Sequence, residues 1–201
     1  MKYTTLVLSY IMLCTTHYSF AQDKTEDKIE DIGKNVYAIA PISFSEVSKG
    51  VGISYEHMLD TKGIVSLWVP VMFGFRTYND YLYNNQQNNS ATVYGHFYAM
   101  PGIKIYPTGN DGKVKYSIGP NLIYATGQMP QGYTPLSSEG PTVNFMKLGI
   151  MVNGSLNLNP LKHLYLGLDL GFGITYLNQQ DGVTQNTGGL VHFAFRIGYR
   201  N

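Results

Sequence analysis

Cysteine and tryptophan each occur once in these 201 residues, and charged side chains make up only 13%, about half the ~25% of an ordinary soluble domain. Each scarcity removes a class. A lone Cys14 builds neither a disulfide framework nor a thiolate metal site. With 14 Lys plus Arg against 13 Asp plus Glu, there is no cationic surface for nucleic acid. No apolar run reaches the ~20 residues of a bilayer-spanning helix. Near-zero net charge beside 44% hydrophobic content also excludes a disordered chain. Tyrosine and glycine, at 17 and 22, are abundant instead.

Met1–Ala21 has the layout of a cleaved export signal. Lys2 precedes an apolar stretch from Leu6 to Cys14, and Ser19-Phe20-Ala21 puts small residues at −3 and −1 of a cut after Ala21. The apolar stretch is too short for a transmembrane anchor. Ile11-Met12-Leu13 lacks the small residues of a lipidation site at Cys14. Residues 22–35 read as a charged periplasmic leader. Asp23, Lys24, Glu26, Asp27, Lys28, Glu30, Asp31 and Lys34 outweigh Ile29 and Ile32, which form no apolar face.

From Val36 the dominant period is two, the signature of strands. In 163–176 Leu164, Leu166, Leu168, Leu170, Phe172, Ile174 and Tyr176 alternate with His163, Tyr165, Gly167, Asp169, Gly171, Gly173 and Thr175. A helix would scatter those leucines around its circumference. Similar segments occupy roughly 36–45, 51–59, 64–77, 91–106, 114–127, 145–158 and 191–200, which predicts eight strands over 36–201. Asp60–Gly63, Pro107–Lys113 and Asn159–Lys162 are short turns of hairpin residues, and 46–50 is also short. Longer polar loops are expected at about 78–90, 128–144 and 177–189. Tight turns at one rim and long loops at the other predict an all-β, antiparallel, up-and-down transmembrane barrel.

A soluble lipocalin-like barrel would bury the apolar face and wet the other. The residues favour the reverse. The strand charges Glu56, Arg76, Lys104, Lys115, Lys147, Asp169, Arg196 and Arg200 share the less apolar face, as do Gly52, Gly74, Gly102, Gly119, Gly149, Gly167, Gly171, Gly173 and Gly198. A crowded lumen uses glycine beside large neighbours. Tyr55, Phe75, Tyr116, Tyr124, Tyr176 and Tyr199 lie near strand ends on the apolar face, where interfacial girdles belong. The charged set without Arg200 is the expected lumen network. Trp68, Met72, Tyr94, Tyr98, Met100 and Met151 are expected to fill the rest of a narrow interior. Asp169 and Arg196, set across the last hairpin, are expected to pair there, with the Tyr165 hydroxyl as the alternative partner for Asp169.

The Phe20-Ala21-Gln22 signal end, the eight alternating strands and the closing Phe193-x-Phe195-x-Ile197-x-Tyr199 resemble small outer-membrane β-barrel proteins of OmpA/OmpX architecture from Bacteroidota-type Gram-negative bacteria. The resemblance covers about 36–201. It implies a place in the cell outer membrane among phospholipid and lipopolysaccharide, and insertion by the barrel-assembly machinery. Such chains often end in an aromatic residue, whereas this one ends in Asn201 with Tyr199 two positions earlier.

Chemistry is sparse. The single His-x-Ser, His17-Tyr18-Ser19, lies in the export signal, so the serine–histidine motif of a lipid-modifying barrel is missing from the strands. His96 and His192 point inward near the loop rim and are the residues such an enzyme would use. His57 and His163 lie elsewhere, with His163 beside a turn. No Glu-x-x-His or Asp-rich calcium loop accompanies them, so no metal or cofactor is expected. The loop holding Tyr78, Tyr81, Tyr83 and Asn84 is rich in Tyr, Asn and Gln, residues suited to contacting a protein or glycan. The expected function is a non-enzymatic structural or surface-recognition barrel with a plugged lumen. A conduit for small solutes or hydrophobic ligands is the alternative.

This topology is testable with single cysteines, because no cysteine follows Cys14. Substitutions within Asn84–Asn89 or Gly182–Gly188 should react with an impermeant maleimide on intact cells. Substitutions at Asp111 or within 23–35 should react only after lysis. Labelling of position 111 on intact cells would reverse the orientation.

Overall fold

The computed structural model describes residues 33–46, 48–79, 91–109, 112–130 and 142–201, all of them in strands, turns or irregular backbone. Ten strand segments are β1 (Asn35–Ser45), β2 (Lys49–Met58), β3 (Val65–Asn79), β4 (Ala91–Ala99), β5 (Gly102–Ile105), β6 (Val114–Pro130), β7 (Thr142–Leu158), β8 (Leu164–Gln180), β9 (Val183–Thr184) and β10 (Gly189–Arg200). They make eight staves. β5 continues β4 between β3 and β6, and β9 is a short extension on β8. Every pairing is antiparallel, and β10 bonds both β8 and β1, so the sheet has no free edge around the ring.

Closure comes with stagger. Paired residues lead from Val36 through Glu56, Trp68, Gly102, Asn121, Met151 and Gly173 to Leu190. Leu190 lies two residues beyond His192, the partner of Ser45 at the far end of β1. The circuit therefore climbs past the whole first strand, which tilts the staves against the barrel axis.

Prolines mark two of the irregularities, and a third, at Tyr176 between β7 and β8, has none. Pro41 falls inside the register shift that β1 shows against both β10 and β2. It has no N–H to donate, and the bulge absorbs the gap. The phase of β1 changes there, with Ala38 and Ala40 buried before it and Ser43 after it. Pro101 divides the expected 91–106 strand into β4 and β5 for the same reason.

Three other expectations change. The expected long loop at 177–189 is mostly a hairpin: β8 runs to Gln180, and Asp181 and Gly182 at φ 45° and 80° turn it into β9. That is the positive-φ pair of a two-residue type I′ turn, for which Asp-Gly is a preferred sequence. β6 and β7 likewise run to Pro130 and from Thr142, shortening the loop expected over 128–144. β2 begins two residues early, so Lys49 is a strand charge on the outward face, at the rim. Signal residues 1–21, leader residues 22–32, Tyr81, Tyr83, Asn84 and Asp111 lie outside the described residues. Gly33 is held by Arg200 Nε, which donates to its carbonyl at 2.8 Å.

Inside and outside separate as the period requires. Ile39, Ile53, Val93, Leu122, Phe172 and Ile174 are each more than half exposed, in an apolar band around the staves. Soluble monomers do not show water an apolar surface of that extent, whereas hydrocarbon accepts it. The aromatic girdle residues Tyr55, Phe75, Tyr116, Tyr124, Tyr176 and Tyr199 are all exposed on this surface. At the turn end Tyr37 and Tyr55 lie 5.2 Å apart, and His163 stacks on Tyr199 at 5.2 Å. β6, β7 and β8 have 17 residues each, more than the ~9–11 that cross a bilayer. They stand above the band as a wall on one side of the mouth.

Leu168, 42% exposed on β8, tests which face meets lipid. Leu168→Arg should cost about 2–4 kcal/mol of folding free energy in vesicles, and Val51→Arg, close to the rim residue Lys49, about 0–1 kcal/mol. Equal costs measured by denaturant titration would contradict a lipid-facing exterior.

Candidate functional site: a charge cluster beneath an apolar plug

Inward positions on β2, β5, β8 and β10 bring Glu56, Lys104, Asp169 and Arg196 together in the turn-side half of the lumen, each at most 1% exposed. Arg196 clasps Asp169 with two nitrogens: Nη2 donates to Oδ1 at 2.9 Å and Nε donates to Oδ2. Its Nη1 lies 3.8 Å from Glu56 Oε2. Lys104 Nζ sits between the acids, 3.4 Å from Asp169 and 3.5 Å from Glu56. Two cations and two carboxylates thus neutralise one another where water is scarce.

Neutral groups complete the coordination. The Ser66 hydroxyl donates to Glu56 Oε1 at 2.8 Å, and Tyr106 donates to the same oxygen. Ser155 donates to Asp169 Oδ1. Trp68, fully buried, puts its ring 4.0 Å from Lys104 Nζ and 5.0 Å from the Arg196 guanidinium, so its π-face adds attraction for both cations. Gly167 leaves the space Arg196 uses: a Cβ there would stand 3.1 Å from Nη2 and 2.9 Å from the Tyr165 hydroxyl oxygen.

The hairpin register differs by two residues from the expected one. Ala194, not Arg196, pairs with Asp169, and Arg196 pairs with Gly167. Arg196 reaches Asp169 diagonally, which its long side chain permits. The Tyr165 hydroxyl donates to Asn157 Oδ1, not to Asp169.

Towards the loops the filling turns apolar. Met72, Tyr98, Met100, Ile123, Ala125, Met129, Val143, Phe145, Met151 and Leu190 form one buried cluster, with the His96 ring edge-on to Phe145 at 5.2 Å. Of the residues expected to fill the lumen, Trp68, Met72, Tyr98, Met100 and Met151 are at most 2% exposed and Tyr94 is 9%. The link between β1 and β2 lies over this layer. Ser45 Oγ donates to Tyr98 Oη at 2.9 Å, and Glu46 pairs with Lys147 at 3.1 Å. Lys147 therefore belongs to the mouth. Arg76 is half-buried opposite Tyr94, and Lys115 is buried opposite Asn157 near the turn end. Tyr78 pairs with Thr92 through its backbone.

The two inward histidines are held by the lumen. His96 Nε2 contacts the Gln128 carbonyl at 2.9 Å, and His192 Nε2 lies 3.3 Å from Ser43 Oγ. Ser43 and His192 are the residue types of a nucleophile and its base. However, Ser43 Oγ also meets Met72 Sδ at 3.2 Å, and His192 Nδ1 has no partner to orient it among the described residues. The cavity beside them is about 10 Å³, room for one water and far too small for an acyl group.

No known protein family matches the sequence, and no curated protein is similar to it. Solved structures are similar in shape. A major outer membrane protein from Thermus thermophilus aligns with TM-score 0.56 and 12% identity over 84% of this chain and 99% of that one. The outer membrane protein OprG from Pseudomonas aeruginosa aligns with TM-score 0.50 and 7% identity over 86% and 97%. At such identities the likeness concerns fold. This chain has the closed eight-stranded barrel fold of small outer-membrane proteins.

Removing one member of a dry ion pair leaves the other charge buried. Asp169→Asn and Arg196→Gln should each cost about 3–5 kcal/mol. The double variant should cost less than their sum by about 0.5–3 kcal/mol. Additive losses in a denaturant cycle would mean that the pair is solvated.

Proposed function

We propose that the chain is an integral outer-membrane barrel that conducts no solute and acts through its loop-side surface, as a structural or surface-recognition protein. The observation that carries this reading is the filled lumen. A neutralised charge cluster, a methionine and aromatic layer and the β1–β2 link lie in series along it. An eight-stranded interior is just wide enough for side chains to fill, and here they do. The wall of β6, β7 and β8 beyond the apolar band supplies a support for contacts outside the membrane. The polar loop with Tyr81, Tyr83 and Asn84 is the proposed contact for a protein or glycan, and lipopolysaccharide is the proposed surrounding lipid.

A conduit would need a continuous path past Arg196 and Met72, and the cavity between them has room for one water. A lipid-modifying enzyme would need an acyl site beside His96 or His192, and the packing described above disfavours it. Planar-bilayer recording tests the plug: the wild type should show no steady channel, and Arg196→Ala with Asp169→Ala should raise ion leak. Steady conductance of the wild type would contradict the reading. Replacing residues 80–89 with a short Gly-Ser linker should abolish binding to any glycan that the intact chain captures on an array, without altering its unfolding. Unchanged binding would move recognition away from that loop.

A further inference from the structure

The small cavity between the ionic cluster and the apolar layer has Ser43, Trp68, Met72, Met100, His192 and Arg196 in its walls. Two soft donor atoms meet beside it. Ser43 Oγ donates to Met72 Sδ at 3.2 Å and lies 3.3 Å from His192 Nε2, so a thioether and an imidazole flank one hydroxyl. Met100 brings a second thioether side chain to the same cavity, and all three residues are more than nine-tenths buried. His192 Nε2 meets Ser43, whereas Nδ1 has no partner among the described residues. One ring nitrogen can therefore serve as a ligand while the other keeps the ring oriented, the usual arrangement of a metal-binding histidine.

The donor set selects the ion. Among the described residues no three His, Cys, Asp or Glu side chains come together. Two thioethers with one neutral imidazole are poor ligands for magnesium, calcium or zinc, but they suit a soft monovalent ion such as Cu(I). The cavity, about 10 Å³, takes one atom-sized occupant. Arg196 is held by Asp169 and Glu56, and the charges of the cluster sum to zero, so one added positive charge meets a balanced field. Methionine by itself is ordinary core filling. Filling does not explain why thioethers coincide with a cavity and with an imidazole nitrogen that nothing else uses.

We infer that the lumen binds one soft monovalent metal ion of the Cu(I) type between Met72, Met100 and His192. The ion enters from the loop side, where Met129 and Met151 belong to the same buried layer and the flexible methionine side chains let that layer part. The ionic cluster bars the way onward, so the site holds an ion and passes none. This role goes beyond the surface role proposed above and does not depend on it.

Silver(I) is a redox-inert probe of this ion type. The full chain carrying Cys14→Ser, which removes its sole thiol, can be folded in detergent and titrated with silver nitrate in chloride-free buffer. Trp68 is the sole tryptophan and lines the cavity, so its fluorescence should fall to a plateau at one equivalent. Native mass spectrometry should then show one retained silver ion, and zinc should produce neither effect. Met72→Leu with Met100→Leu keeps the packing volume and should weaken silver binding at least about tenfold, as should His192→Gln. Met146→Leu, outside the buried layer, should bind silver as the wild type does. Heat-dependent gel mobility, measured first, reports folding of every variant. Equal silver binding by the folded wild type and the double methionine variant would overturn the site. So would a folded wild type that takes up no silver, or one whose binding is lost with Met146→Leu.

Discussion

A barrel of eight staves encloses so little space that any charge placed inside must be neutralised by another side chain. That constraint organises this lumen. Asp169 is met by Arg196, Lys104 and Ser155, and Glu56 by Lys104, Arg196, Ser66 and Tyr106. The participants come from β2, β3, β5, β7, β8, β10 and the turn after β5, so the cluster exists only in the closed ring. It joins β2 and β5 to β8 and β10 across the interior, where no backbone bond reaches. Trp68 roofs both cations, and Gly167 makes room for the guanidinium.

The outer surface obeys the opposite demand. In lipid every backbone group must bond within the sheet, and the ring meets this with β10 paired to both β1 and β8. Pro41 lies in the bulge of β1 and Pro101 at the break between β4 and β5, whereas Pro70 and Pro120 lie within unbroken ladders. Among the described residues the apolar exterior carries no charge except at its limits, as at Lys49. A groove over Gly154 arises from a missing side chain in a setting of large ones.

Much of this was legible in the alternation of residues. Period two separates Leu164, Leu166 and Leu168 from Tyr165, Gly167 and Asp169, and any closed barrel with a lipid exterior must turn the second set inward. The Asp169–Arg196 contact was accessible because one hairpin relates the two residues, even with its register displaced by two. Lys104 and Glu56 were legible as inward charges, but not as partners of that pair. Contacts across a lumen depend on stagger around the whole ring, which local sequence does not encode. Asp181-Gly182 was a readable turn signal hidden by the polar residues around it. The groove over Gly154 needed two registers at once, since a glycine is a recess only if its neighbours on both sides are large.

Trp68 is the sole tryptophan of the chain and sits, fully buried, against Lys104 and Arg196, so its fluorescence reports directly on whether the lumen is sealed. In folded protein in vesicles, aqueous acrylamide or iodide should quench it far less than in the denatured chain, and brominated lipids should also quench it weakly. Quenching by iodide to the level of free indole would mean a water-filled pore. Strong quenching by brominated lipid would mean that Trp68 faces the membrane, and either result would contradict a sealed ionic lumen.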